Sequence, residues 1–337
     1  MVSFGEDKDI DVFGVGNALV DILALVDHDF IREHALTPGS MTLVDAEKQG
    51  SLLRHLEHHN LQLSSGGSAA NTIIAVSQSG GTGFYAGKVA RDSHGEFYRQ
   101  DLLESGVHFD VHPADVDHGP TGSCLVLTTP DAERTMCTNL GVSGVLGPGD
   151  IDASRLSRCR VSYIEGYLWA SEQPRAACLR ALEIARESNV RTAFTFSDFF
   201  LVDLFERDFR QLVRDHCDIV FCNAEEARRF SNQSSLDACA DDLGQLIDLA
   251  FITDSAAGCY VVDQGRVTHV AGFPARALDT VGAGDAFAGG VLFGLCRGWE
   301  PAKAARWGNY LASQVVQIQG ARLPGRMDQL VAEILHD

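Results

Sequence analysis

The 337-residue sequence predicts a three-layer α/β/α fold with a mostly parallel sheet and a small antiparallel β lid. Two observations predict it. Short apolar runs bounded by turn residues alternate with helix-period segments along most of the chain, the pattern of strands covered by helices on both faces. In two places, 17–44 and 107–142, that rhythm gives way to period-two runs, as in "CLVLTT" and "RTMCTN", joined by the turn-forming "PDAE". We therefore expect a core of 1–16, 45–106 and 143–337, with 17–44 and 107–142 forming the lid.

The strands expected in the core are 11–16 ("DVFGVG"), 83–87 ("GFYAG"), 160–166 ("RVSYIEG"), 191–197 ("RTAFTFS"), 217–223 ("CDIVFCN") and 249–254 ("LAFITD"). Helical spacing covers 68–79, 93–105, 173–188, 203–214 and 223–230. No repeat, low-complexity tract or long Pro/Ser/Gly linker interrupts the chain, which predicts one compact unit with a flap.

Composition narrows the function classes. Hydrophobic residues make up 45% and charged residues 22%, the balance of a soluble enzyme. No apolar run reaches the roughly 20 residues of a membrane span. The start, "MVSFGEDKDIDV", is acidic and lacks a signal-peptide core, so a cytoplasmic protein is expected. Nine scattered cysteines without a Cys-x-x-Cys pair suit reduced thiols better than disulfides or zinc. A net charge of -19 would repel a nucleic-acid backbone, and no dense basic patch offsets it. An anionic ligand must then be met by backbone N–H groups, a few basic residues or a metal.

The densest motif is "DTVGAGDAFAGG", Asp279–Gly290, with four glycines and two aspartates ahead of the apolar "VLFGLC". Apolar spacing starts a helix near Gly284 or Asp285. Gly282, Ala283 and Gly284 would then present unpaired N–H groups at the positive end of a helix, an anion hole. Asp285 beside that hole suits a general base that takes a proton from a neutral hydroxyl. An N-cap aspartate behind a glycine turn is the plain alternative.

A second glycine-led helix start is "SSGGSAANT". Gly66 and Gly67 let a ligand approach the backbone, and Asn71, one turn into the helix, can offer a donor and an acceptor to a polyol. Ser68 could instead simply cap the helix. The first strand ends in "GVGNALVDI", which places Asn17 and Asp21 just beyond Gly16; the third glycine of a dinucleotide fingerprint is missing. Asp21, between Val20 and Ile22, needs partners that ligand hydroxyls would supply. In "CNAEEARRF", Asn223 and Glu226 follow a buried strand, at the sheet end where open α/β folds bind ligands, and could equally form a capping box. His55, His58 and His59 in "RHLEHHN" sit among polar residues with no supporting ligand cluster, which favours a solvated helix face over a metal site.

Taken in this order, the segments resemble the ribokinase-like (PfkB) family of carbohydrate and nucleoside kinases. "GGSAANT" is similar to its first signature and "DTVGAGDAFAGG" to its second, Asp-Thr-x-Gly-Ala-Gly-Asp; the likeness runs from about residue 11 to "GAR" at 320–322. "GNALVDILALVDHDFI", "PTGSC", "RTMCTNL" and "YIEGYL" look most like adenosine kinases within it.

The resemblance implies ATP and Mg as cofactors and a nucleoside, with adenosine foremost, or a sugar as acceptor. It makes Asp285 the base and Gly282, Ala283 and Gly284 the hole for the γ-phosphoryl charge. Asn17, Asp21, Gly66, Gly67, Ser68 and Asn71 would hold the acceptor's hydroxyls. Asn223 and Glu226 would organise Mg and phosphate through water, and Arg134, on the flap hairpin, would swing onto the transferring phosphate when the lid closes. Thr253, Ser255 and Asn309 fall where the family lines its ATP site, although Thr253-Asp254-Ser255 replaces its usual Thr-x-Gly. Asp279 and Thr280 match positions that can help hold a monovalent cation such as K. Neither nucleic acid nor membrane is expected as a partner, and the chain would be a monomer or homodimer.

Three readings compete: a nucleoside kinase, a sugar kinase for ribose, fructose or a related sugar, and a nucleoside-binding sensor without catalysis. "YLW" at 167–169 leans towards a base, and the retained Asp285 with its glycines argues against the sensor.

Overall fold

The computed structural model describes residues 8–131 and 133–335. The acidic start at 1–7 and Ala132 of the "PDAE" turn lie outside them.

Nine strands form the large sheet. In spatial order they are Arg266–Ala271, Gly258–Asp263, Leu249–Thr253, Ile219–Asn223, Arg191–Thr195, Cys159–Glu165, Ile10–Val15, Gly83–Ala86 and Val107–His108. Pairing is parallel from Leu249–Thr253 to the Val107 edge, and antiparallel only across Gly258–Asp263. All six strands expected from the sequence are present. The edge hairpin at 258–271 was not foreseen: Arg266–Ala271 is largely exposed, so its apolar signal is weak.

Successive residues of each strand feed opposite cores, as the two-residue pleat demands. Val12, Tyr163 and Phe221 pack on one face with the helices Ser68–Gln78 and Ala283–Cys296. Phe13, Ile164 and Val220 pack on the other against Glu172–Glu187, Phe199–His216 and Leu236–Leu246. The sandwich of helix, sheet and helix is the architecture that the alternation predicted.

The lid is a second, five-stranded sheet in the order Met41–Leu43, Arg134–Asn139, Gly122–Thr128, Leu19–Leu25 and Gln62–Gly66. It is mixed rather than purely antiparallel: Leu19–Leu25 runs parallel to Gly122–Thr128, and Met41–Leu43 parallel to Arg134–Asn139. Strand pairing also moves two segments relative to expectation. Gln62–Gly66, expected in the core, pairs with the lid strand Leu19–Leu25, whereas Val107–His108, expected in the lid, pairs with Gly83–Phe84 at the edge of the large sheet. Both are short, and period-two alternation has little room to show in two to five residues.

The flap hairpin does close through "PDAE": Thr129 N–H donates to Glu133 O (3.0 Å) and Thr129 Oγ1 to Asp131 Oδ1 (2.6 Å). Along Leu19–Leu25, Val20, Ile22 and Ala24 are buried in the core with Leu52 and Leu56, while Leu19, Asp21 and Leu23 face a cavity between the two sheets.

Candidate active site

That cavity, of about 450 Å³, lies at the carboxyl ends of the parallel strands, where Asn17, Glu165, Thr195, Asn223 and Thr253 emerge, and the lid roofs it. Brought together on its wall are Asn17, Asp21, Gly67, Ser68, Asn71, Arg134, Asn223, Glu226, Thr253, Gly282, Gly284 and Asp285. Of the other predicted residues, Gly66 backs the wall. A Cβ there would run into the Asp21 carboxylate, so the glycine makes room for the acid.

The helix Ala283–Cys296 starts slightly earlier than the spacing predicts, with Gly282 as its cap at φ 78°. This left-handed conformation suits glycine, and a Cβ would also meet Ala321. Ala283 N–H turns away to Thr280 O (3.3 Å), and Ala286 N–H bonds Gly282 O (2.8 Å). Among the described residues no acceptor faces the N–H groups of Gly282, Gly284 or Asp285. The N–H groups left open at this helix start are therefore those of Gly282, Gly284 and Asp285 rather than of the three residues expected, because the turn consumes the N–H of Ala283. A Cβ on Gly284 would meet open space.

Asp285 accepts from Ser68 Oγ (2.6 Å) and Asn71 Nδ2 (3.1 Å). Burial pushes its carboxyl up to about 6, against the pull of those two hydrogen bonds and of the Arg322 charge. Ser68 is not the helix cap: Gly67 takes that position at φ 101°, which frees the hydroxyl for Asp285. The two glycine-led helix starts thus meet at one carboxylate.

Asp21 has no hydrogen-bond donor among the described residues, and burial pushes its carboxyl up to about 7. Asn17 is more occupied. Its Nδ2 donates to Glu165 Oε1 (2.9 Å), and its Oδ1 accepts from Ser143 Oγ (3.0 Å), which leaves one N–H for a ligand. Glu165, 1% exposed, also takes the N–H groups of Asn17 (2.8 Å) and Ala69 (2.8 Å), so it ties the end of the first strand to the Gly67 turn. Burial raises its carboxyl to about 7. Sequence reasoning missed Glu165, although a carboxylate inside the apolar "YIEGY" carried the same signal as Asp21.

Arg134 is already at the site. It pairs with Asp279, the two side chains being 12% and 2% exposed. The flap was expected to need to move before Arg134 could reach the glycine loop; here the lid strand delivers it against that loop. Asp279 also accepts from Val281 N–H (3.0 Å) and Gly320 N–H (2.6 Å). These three donors occupy part of the carboxylate, and Thr280 is exposed outside the cavity wall.

This chain belongs to the pfkB family carbohydrate kinases.

The family model matches residues 40–327. Adenosine kinase from Sinorhizobium meliloti has a similar structure, with a TM-score of 0.88 and 35% identity covering 96% of this chain and 99% of that one. A probable sugar kinase from Rhizobium etli CFN 42 superposes with a TM-score of 0.89 and 32% identity, covering 97% and 98%. Adenosine kinase 1 of Arabidopsis thaliana is 25% identical over 346 residues, covering 96% and 98%. The protein is accordingly a sugar or nucleoside kinase, a family that implies ATP use, typically with Mg.

The kinase's remaining polar residues fit that chemistry unevenly. Asn223 and Glu226 form the capping box, with Glu226 Oε2 accepting from Asn223 N–H (3.0 Å) and Oε1 from Asn223 Nδ2 (2.8 Å). Burial raises the Glu226 carboxyl to about 7. Both oxygens are engaged, and no group of three metal-ligating side chains occurs among the described residues. Mg would thus be held by nucleotide phosphates and water, with Glu226 beyond the water, as suits an ion that keeps its hydration shell. His55, His58 and His59 are exposed.

Thr253 reaches the cavity rim; Ser255 and Asn309 do not line it. Ser255 sits at φ 49°, the left-handed region that favours glycine, so the chain turns as the usual Thr-x-Gly would while carrying a side chain. Asn309 is a buried bolt whose Nδ2 donates to Val270 O (3.0 Å) and Ala271 O (3.2 Å). It fastens the helix Pro301–Val315 to the edge strand. No helix among the described residues is long and apolar enough to cross a membrane.

Proposed function

We propose that the kinase transfers the γ-phosphoryl group of ATP to the 5′-hydroxyl of a nucleoside, with adenosine as the leading acceptor. The observation that carries this reading is the pairing of a desolvated carboxylate, Asp285, with the free N–H groups of Gly282 and Gly284 at one helix start. A hydroxyl seated there would lose its proton to Asp285 as its oxygen attacks phosphorus, and the charge gathering on the phosphoryl oxygens would meet the N–H hole. Phosphoryl transfer demands mainly such positioning and charge stabilisation. Mg, bound with the nucleotide, would supply further positive charge to the phosphates.

Asp21, on the lid, and the free N–H of Asn17 offer ribose hydroxyls their partners. What supports a nucleoside over a simple sugar is the rest of the wall. The lid contributes Leu19, Leu23, Met41, Val126, Met136 and Leu140 to it, an apolar surface that a small polyol would leave against water but a flat heterocycle would cover. Tyr167 adds an aromatic ring from the core side. The adenosine kinases among the relatives point the same way.

Arg134 supports the transfer from the lid. Its guanidinium, held beside the hole by Asp279, would exchange that carboxylate for the phosphoryl oxygens as charge develops, since its planar fork suits phosphate. The lid also excludes water, which would otherwise compete as acceptor.

ADP release measured with Mg and ATP across adenosine, other nucleosides, ribose and fructose tests the reading. We expect kcat/KM for adenosine to exceed that for either sugar by about 10²-fold or more, since the sugars leave the apolar wall uncovered. A sugar turned over better than every nucleoside would transfer the assignment to the sugar-kinase reading.

A further inference from the structure

We propose that Arg322, on the segment after the last long helix, is a positioning residue that fixes the Asn71 amide and, through it, the orientation of the Asp285 carboxylate. The inference rests on the reading of Asp285 as the base.

Arg322 makes three side-chain hydrogen bonds on three different elements. Its Nε donates to Asn71 Oδ1 (3.0 Å), Nη1 to Asp101 Oδ2 (2.8 Å) and Nη2 to Ser65 Oγ (2.7 Å). The side chain is 13% exposed, so those bonds form in a site largely closed to water. Asp101 also takes the N–H and hydroxyl of Ser65, which anchors the guanidinium from behind.

The bond to Asn71 has a chemical consequence. The two ends of an asparagine amide are nearly the same size, and only hydrogen-bond partners decide which way it faces. Arg322 offers only donors, so Asn71 must turn Oδ1 towards it and Nδ2 towards Asp285 (3.1 Å). A reversed amide would set its NH₂ against the Nε–H of Arg322 and its oxygen against the carboxylate, and both contacts would be repulsive. The result is a fixed chain, Asp101 to Arg322 to Asn71 to Asp285. Ser68 alone would leave one oxygen of Asp285 free to rotate away.

The same segment braces the phosphate side. Gly320 N–H holds Asp279 (2.6 Å), and Ala321 packs on Gly282. Three consecutive residues therefore touch the Arg134 latch, the N–H hole and the amide that holds the base.

Arg322 also brings positive charge towards Asp285. The groups around that carboxylate are Ser68 and Asn71 on their helix, Tyr163 and Glu165 on the central strand, Tyr167 after it and Asp21 on the lid. The Asp285 charge opposes ionisation of Glu165 and Asp21, whereas Arg322 favours ionisation of Asp285.

The test uses the full chain with Arg322→Met and Arg322→Lys. The primary readout is substrate-free ¹³C NMR titration of aspartate carboxyl carbons, the Asp285 resonance being assigned by its loss in Asp285→Asn. In Arg322→Met that midpoint should rise by about one pH unit, the low end of what a nearby opposite charge contributes. In Arg322→Lys, which keeps the charge without the fork, the midpoint should stay near the parent value while turnover at pH 8 falls about tenfold or more, because the Asn71 amide is no longer held.

An unmoved Asp285 midpoint in folded Arg322→Met overturns the inference. So does full turnover in Arg322→Lys, which decides the matter if the methionine variant fails to fold. Retained turnover in Asp285→Asn would instead remove the base assignment, a failure separate from the NMR result, which needs no substrate.

Discussion

Replacing Asp285 by asparagine should make the protein more stable and nearly inactive at once. In the open chain this carboxyl titrates near 3.8, and in the folded protein near 6. Below 3.8 both states are protonated and the residue costs nothing. Between the two values the unfolded chain releases a proton that the folded one keeps, so stability falls as pH rises, and above about 6 the cost is constant. At about 1.4 kcal/mol per decade, the gap corresponds to about 3 kcal/mol against folding at pH 8. An amide at this position carries no charge to desolvate, and its bonds can be kept. The Asn71 Nδ2 still donates to the oxygen, while the Ser68 hydroxyl turns to accept from the new NH₂. The melting temperature of Asp285→Asn at pH 8 should therefore exceed that of the parent by about 3–6 °C for a chain of this size. At pH 5 about half of that gain should remain. Turnover, in the same samples, should fall by about 10²-fold or more through loss of the proton acceptor. Scanning calorimetry at the two pH values beside steady-state rates checks both signs. A lower melting temperature at pH 8, or turnover within a few-fold of the parent, would refute the reasoning.

Three further outcomes follow from the same geometry. Asp21→Ala should weaken acceptor binding by about 10²-fold in calorimetry, because ligand hydroxyls lose an acidic partner in a dry wall, with ATP affinity little changed; equal losses would make Asp21 structural. Arg134→Ala should lower kcat by about 10²-fold or more with the acceptor's dissociation constant nearly unchanged, since its phosphate contact forms as charge develops; weakened acceptor binding that accounts for the whole loss would reduce it to a lid fastener. The pH profile of kcat/KM should fall on the acid side as Asp21, near 7, and then Asp285, near 6, take up protons, both being needed ionised. In Asp21→Asn only the lower step should remain, and a flat profile between pH 5 and 8 would contradict both roles.

The strands and helices of the core were legible because their apolar residues are periodic and their glycines and prolines mark the ends. The two glycine-led helix starts were legible for a different reason. Gly282, Gly284 and Asp285 are adjacent in sequence, as are Gly66, Gly67 and Ser68, so local chemistry announced them. What the sequence hid is what depends on distant partners. Nothing local says that Arg134 meets Asp279 or that Arg322 meets Asn71, pairs separated by 145 and 251 positions. Asn309 shows the same dependence: a polar residue in an apolar helix reads as a ligand, and here its amide serves the carbonyls of Val270 and Ala271 on a distant edge strand. The lid's mixed pairing was hidden because two of its five strands are only three and five residues long, too short to declare a partner.

The measurement that bears most directly on the central claim follows the phosphate itself. The kinase is incubated with adenosine, Mg and ATP labelled in its γ-phosphoryl group, and the products are separated. The account predicts labelled AMP, with the label on the 5′ oxygen and little labelled inorganic phosphate, because the lid keeps water from the reacting phosphorus. Label that remains in ATP, or that appears only as inorganic phosphate, would contradict it.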